Sequence, residues 1–352
     1  MKACDAESLA DGGAEPSASL HEQLAALRQA LVFCPRDDLG VVEVRGPGAR
    51  AFLQRLVTAD LRAVPPGAAV PAALLTPKAQ VVSLLRVLVH GDDALDCVLD
   101  RARVPTVAAL LERYSIGHAV SLGAPAWEVV GLYGPRLRDC AALGPMGGLE
   151  PYAHTRLAAA GAGWLALGDD ELGTTGVLLG GAVDSAARAA LEALLLRAQA
   201  TAVQPAALEV ARLEAGTPRM GLEVDEATML LEAGQLGAVS FDKGCYPGQE
   251  PVCRVHSRGQ VNWRLLPLRV TGTRVPAAGE GLAHPAMTEA GRITSAAFSP
   301  AREEVVALGY VHRRALETPG PLALAGGGLA EVVTLPRAPG LLIPRTGPRY
   351  AA

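Results

Sequence analysis

The stretch FDKGCYPGQEPVCRVHSRGQVNWRL, residues 241–265, joins two different hydrophobic patterns, and its reading decides the fold. Downstream lie the short runs WRLLPLRVTG, GRITSAAFSP, VVALGYVHR and AEVVTLP, with Gly and Pro between them. Short strands punctuated by turn residues predict a small all-β barrel or sandwich. A boundary therefore falls near Val261, with the barrel over residues 262–338 and a Pro/Gly-rich tail over 339–352. Within the stretch, Pro247-Gly248 suits the central positions of a type II turn. Lys243 stands two residues from Cys245, and a nearby ammonium or free backbone amides favour a thiolate. A packed cysteine in a glycine-rich connection fits the same spacing, since free Cys is among the most buried residue types. Cys253 allows a disulfide with Cys245 or half a metal site, although a lone pair at this spacing matches no zinc pattern.

Upstream, LGVVEVRGPGARAFLQRLVTADLRAVPPGAA predicts a strand with Val42 and Val44 on one face. A Gly46-Pro47-Gly48 turn and a helix burying Phe52, Leu53, Leu56 and Val57 follow. VVSLLRVLVHGDDALDCVLD reads as a hairpin around Gly91-Asp92-Asp93, and PTVAALLERYSI as a helix opening on Pro105. WEVVGLYGP gives another strand, and DSAARAALEALLLRAQA a helix capped by Asp184 or Ser185. Strands and helices alternate without a doubly wound order, so the class is α+β, with residues 31–261 forming two subdomains.

Half of the 352 residues are hydrophobic but only 4% are aromatic, so no base-stacking platform stands out. The net charge of −4 and the lack of a dense Lys/Arg tract argue against direct nucleic-acid binding. No apolar run is long enough to span a bilayer, and VVSLLRVLVH is interrupted by arginine. The acidic start, MKACDAESLADGGAEPSASL, lacks the features of a signal or transit peptide. It predicts a disordered tail over residues 1–30 of a soluble cytoplasmic protein. Six thinly spread cysteines suggest reduced thiols.

ARLEAGTPRMGLEVDEATMLLEAG gathers Glu214, Glu223, Asp225, Glu226 and Glu232 around Arg212 and Arg219. Such pairs can bind a flat heterocycle through bidentate contacts, and they also suit a solvated loop with local ion pairs. His256 lies near Cys253 without any metal-ligand spacing, so no metal is expected. GPGAR and GGGLA lack the lysine and hydroxyl of a P-loop.

Taken together, RLEAGTPRMGLEVDEATMLLEAG, FDKGCYPGQEPVCRVHSRGQVNWRL and GRITSAAFSP…VALGYVHR resemble the YgfZ-type folate-binding proteins over residues 38–335. That family supports iron–sulfur cluster assembly and repair, and shares its fold with the aminomethyltransferase, or T-protein, of glycine cleavage. The most specific match is K-G-C-Y-x-G-Q-E, here Lys243, Gly244, Cys245, Tyr246, Gly248, Gln249 and Glu250. The resemblance implies Cys245 as the functional thiolate with Lys243 as its electrostatic partner. It implies Arg212, Glu214, Tyr246, Gln249, Arg254 and Arg258 as holders of tetrahydrofolate in a central cleft. It also implies iron–sulfur client or assembly proteins as partners, and a link to tRNA modification through them. T-proteins carry adjacent aspartates where this chain has Ser83 and Leu84, so the implied role is an accessory protein. A folate-dependent one-carbon transferase or demethylase is the alternative that the shared fold implies. Cys253 replaces a small non-thiol residue, which would make a Cys245–Cys253 redox pair particular to this chain.

Overall fold

A computed structural model describes residues 18–157, 164–182, 184–258 and 261–334. The chain runs α1 (Leu20–Gln29), β1 (Val32–Pro35), β2 (Leu39–Arg45), α2 (Ala49–Gln54), β3 (Ala68–Leu75), β4 (Val81–Val89), β5 (Ala94–Asp100), α3 (Val104–Ser115) and β6 (Ser121–Gly123). It continues through β7 (Trp127–Tyr133), β8 (His154–Arg156), β9 (Leu165–Asp169), β10 (Gly176–Ala182), α4 (Ser185–Arg197), β11 (Thr201–Ala202), α5 (Pro205–Ala215) and α6 (Gln249–Arg258). Last come β12 (Trp263–Val270), β13 (Gly281–His284), β14 (Met287–Ser299), β15 (Glu304–His312), α7 (Arg313–Glu317), β16 (Leu322–Leu324) and β17 (Leu329–Val332).

One sheet has the order β3-β4-β5-β2-β6 and is antiparallel throughout. In β4 burial alternates, with Val81, Ser83, Leu85 and Val87 inward and Val82, Leu84 and Arg86 half-exposed, as a strand's period of two requires. Phe52 and Leu53 of α2 pack with Val42 and Val44 of β2 against this sheet, as the periodicity predicts. Burying each of these large side chains contributes roughly 2 kcal/mol. α2 itself ends at Gln54, so Leu56 and Val57 enter the core from the turn that follows.

The second sheet, β11-β1-β7-β10-β9-β8, is antiparallel except for the β1–β11 pair. Asp184 caps α4 by accepting from the Ala187 N–H. The third unit is a closed barrel, β12-β15-β14-β13-β16-β17, which begins just after the boundary expected near Val261. Barrel closure removes sheet edges that would otherwise pair with other chains. Between α5 and α6 the chain crosses the first sheet, where the Val81 N–H donates to the Thr228 carbonyl and Gln80 bridges Met229.

The disordered tail expected over residues 1–30 needs correcting. Residues 20–29 form α1, opened by a capping box between Ser19 and Glu22, with Leu24 and Leu27 buried against α5. The acidic, glycine-rich composition that suggested disorder belongs to residues 1–17, which lie outside the described residues, as does the tail over 339–352. Among the described residues no helix is long and apolar enough to cross a membrane.

Candidate functional site

Lys243 is buried, and its Nζ donates to the carbonyls of Gln54 at 2.6 Å, Val57 at 2.7 Å and Ala59 at 2.6 Å. These carbonyls lie at and just beyond the C-terminal end of α2, where backbone acceptors lack intrahelical donors and a cation is favoured. Burial pulls the Lys243 pKa down to about 8, so the ammonium is still charged at neutral pH. Because all three of its protons are committed to carbonyls, Lys243 is an anchor for the loop.

On the other side of the thiol the expected turn forms. Gly248 has φ +81°, and the Gln249 N–H donates to the Tyr246 carbonyl at 3.2 Å. A Cβ at Gly248 would stand 2.6 Å from the Thr76 carbonyl oxygen, so only glycine allows this approach to the turn between β3 and β4. Tyr246 is buried beside Leu75, Ala79 and Val252. Between these two anchors Cys245 is exposed, and Gly244 faces open space. Cys253 sits half-buried on α6 and both thiols are free, so the structure contains no Cys245–Cys253 disulfide. His256 stacks on Phe241 with ring centroids 3.8 Å apart. Among the described residues no group of three or more His, Cys, Asp or Glu is placed to hold a metal ion.

A small, open cleft of about 130 Å³ lies elsewhere, between the β1–β2 loop, the turn after β9, and α5. Its walls are Cys34, Pro35, Arg36, Asp37 and Asp38, then Glu171 and Leu172, then Pro205, Leu208, Glu209 and Arg212, with Arg219 completing it. Arg36 donates to both Asp38 oxygens at 2.9 Å, to the Tyr133 hydroxyl at 2.6 Å and to Glu171 at 3.1 Å. Arg86 on β4 lies 3.1 Å from the same Glu171 and 2.9 Å from Asp169. Arg219, one-third exposed, pairs with Asp38 at 3.0 Å.

These contacts separate the carboxyls. Burial pushes Glu171 up, but the guanidiniums of Arg36 and Arg86 outweigh it and hold the group well below the usual carboxylate range. Burial likewise opposes the charge on Asp38, and Arg36 and Arg219 win. At Asp169 burial prevails over Arg86, and nearby Glu171 adds to it, so this carboxyl titrates above the usual range. Cys34 is pushed up to about 12 by burial despite Arg36, which makes it a protonated, inert thiol.

The remaining site residues expected from the sequence do not converge on this cleft. Arg212 borders it, but its guanidinium is already bound to Glu209, to Glu223 at 2.9 Å and to the Thr217 carbonyl at 2.7 Å. Glu214 pairs with Arg28 of α1 at 2.6 Å and accepts from Ser299 of the barrel, so it ties three elements together away from the cleft. Tyr246 is a core residue, Gln249 donates weakly to the Lys243 carbonyl at 3.4 Å, and Arg254 pairs with Glu250 at 2.6 Å. Arg258 ends α6 and its side chain is outside the described part of the structure. Sequence reasoning missed Arg36, Asp38, Arg86, Asp169 and Glu171. The available signal was the charge clustered at strand ends in FCPRDD and LGDDELG, together with an arginine inside the apolar β4.

No family model matches the chain. The tRNA-modifying protein YgfZ of Klebsiella pneumoniae (strain 342) is 31% identical over 265 residues, covering 72% of this chain and 76% of that protein. YgfZ of Enterobacter sp. (strain 638) is 30% identical over 269 residues, with 74% and 78% covered. An aminomethyltransferase of Thermosynechococcus vestitus is 26% identical over 312 residues, with 83% and 80% covered. The crystal structure of the glycine cleavage system aminomethyltransferase T from Bartonella henselae matches with a TM-score of 0.82 at 20% identity, over 92% of this chain and 91% of that one. At that identity the structural match concerns the fold alone.

Proposed function

The chain belongs to the YgfZ family and has the aminomethyltransferase fold. From that premise we propose a cytoplasmic, folate-binding accessory protein that supports assembly or repair of iron–sulfur enzymes, tRNA-modifying ones among them, with Cys245 as its functional thiol. The observation that carries this reading is the presentation of Cys245. It is exposed on a loop anchored on one side by Lys243 and on the other by Gly248, and the loop contributes nothing to the cleft lining. An outward thiol on a fixed loop suits contact with a macromolecular client better than chemistry on a small molecule enclosed in the cleft.

The cleft supplies the folate half of the proposal. An ionised Glu171 can accept two N–H groups from a 2-amino-4-oxopteridine edge, and Leu172 and Leu208 offer apolar surface to a flat ring. Arg219 is placed to meet the carboxylates of a glutamyl tail. On β4, Ser83 is buried with its Oγ donating to the Leu84 carbonyl at 3.0 Å. The strand therefore offers no carboxylate where a one-carbon transferase of this resemblance carries one.

Complementation tests the thiol. Cys245→Ala and Cys245→Ser should remain folded yet fail to rescue a strain lacking the family protein, and full rescue by either would overturn the role of Cys245. A melting curve tests the folate. Tetrahydrofolate at ~100 times its dissociation constant should add roughly 2.7 kcal/mol of stability, and an unchanged midpoint would count against a folate site.

A further inference from the structure

Leu84 and Arg86 share the half-exposed face of β4. Leu84 stands where the resemblance places a carboxylate, and two residues on, Arg86 brings one in from the other sheet, meeting Asp169 of β9 at 2.9 Å. The same Arg86 Nη2 reaches Glu171 Oε2 at 3.1 Å, and Arg36 approaches that oxygen at 3.1 Å. Asp169, Arg86, Glu171 and Arg36 thus form a chain of alternating charge. Its Glu171–Arg36 end lines the cleft, and its Asp169 end is buried.

The two carboxyls are not equivalent. Glu171 is held by two guanidiniums, whereas Asp169 has a share of one, and its Oδ2 is buried with no hydrogen-bond partner among the described residues. A buried carboxylate with one oxygen bare is the weaker ion of the pair, so a proton shared between them rests on Asp169. The titratable and charged groups facing Asp169 are Arg36 from the β1–β2 loop, Arg86 from β4, Tyr133 from β7, Tyr152 from the turn before β8, and Asp170 and Glu171 from its own turn. Burial holds both tyrosines protonated well beyond neutrality.

We propose that Asp169 is the proton-exchanging carboxyl of the cleft: a ligand that donates N–H groups to Glu171 releases Arg86 to Asp169, and Asp169 gives its proton to solvent. This rests on the folate reading above, since a pteridine edge supplies such donors. In the step the O–H bond of the Asp169 carboxyl breaks, the proton passes to water or buffer, and the carboxylate gains a full ion pair with Arg86. No oxidant or further reactant is needed.

The test is calorimetry of the whole protein with 5-formyltetrahydrofolate near pH 6 and near pH 8, each in two buffers of different ionisation enthalpy. Near pH 6 about half to one proton should leave per ligand bound, and near pH 8 almost none. Because a proton leaves on binding, the affinity should weaken below neutrality, by up to about tenfold for each pH unit of acidification. Asp169→Asn should still bind but lose both the proton release and the pH slope. Binding without proton release near pH 6, or release that survives in Asp169→Asn, overturns the inference and leaves the folate site standing. No binding at either pH overturns both. Should Asp169→Asn fail to fold, infrared difference spectra of the unmodified protein decide the matter: the ligand must bleach a protonated-carboxyl band near pH 6, and an unchanged band overturns the inference.

Discussion

Two thiols in this molecule each lie two residues before a cation or after one, and the structure treats them in opposite ways. Cys34 precedes Arg36 on the cleft wall, is fully buried, and has its pKa pushed up to about 12. Cys245 follows Lys243 and is exposed. Both cations also hold their own segments, Arg36 through Asp38, Tyr133 and Glu171, and Lys243 through three carbonyls. At Cys34 burial outweighs the nearby guanidinium, so a cation two residues away does not by itself make a thiolate. What distinguishes the two thiols is burial, and the cations determine where each segment sits.

Alkylation tests this contrast most directly. With iodoacetamide at about pH 8, Cys34 has a thiolate fraction near 10⁻⁴ and no access, so Cys245 should react at least ~1,000-fold faster in the folded protein. Peptide mapping after partial labelling measures the ratio, and comparable rates would break the distinction. The next largest effect is expected from Lys243→Met, which leaves three buried carbonyls without a donor and should lower stability by ~3 kcal/mol in urea unfolding. Lys243→Arg should rescue little of that loss, because a planar fork cannot point at three converging carbonyls. Gly248→Ala should cost about 2 kcal/mol, since it forces an L side chain to φ +81° and against the Thr76 carbonyl. Either change should also alter the labelling rate of Cys245. A rate that stays the same in both would mean that the anchors do not position the thiol.

How much of this was legible in the sequence depended on the distance over which each contact is made. The type II turn was readable because Pro247 and Gly248 carry its backbone requirements locally, and the inward face of α2 was readable from its spacing. The role of Lys243 was not, because its acceptors lie 184 to 189 residues earlier in the chain. The cleft quartet was hidden for the same reason, with Arg86 and Glu171 85 residues apart. Arg212 and Glu214 illustrate another limit. They look like a pair in RLEAG, but α5 is a helix, and residues two apart on a helix point to different sides. One accordingly meets Glu223 and the other Arg28. α1 was lost to the composition of the residues before it.

The smallest effect concerns pH and again separates the cleft from the loop. Asp38 is held below its ordinary value by Arg36 and Arg219 against the opposing effect of burial. A carboxyl with a lowered folded pKa contributes stability that is complete above its unfolded value of about 3.9, and is lost as pH falls through the folded value. Asp38→Asn should therefore lower stability by ~1 kcal/mol at neutral pH, and the gap to the unmodified protein should close as pH falls below the unfolded value and through the lowered folded one. The deficit of Lys243→Met should stay level over the same acid range, because the ammonium and its carbonyl acceptors carry the same charge throughout it. Urea midpoints of the three proteins measured from neutral pH downward decide the point. If the Lys243→Met deficit closed in acid along with that of Asp38→Asn, the Cys245 loop would depend on carboxylates, and the division between an acid-sensitive cleft and a loop anchored by backbone carbonyls would fail.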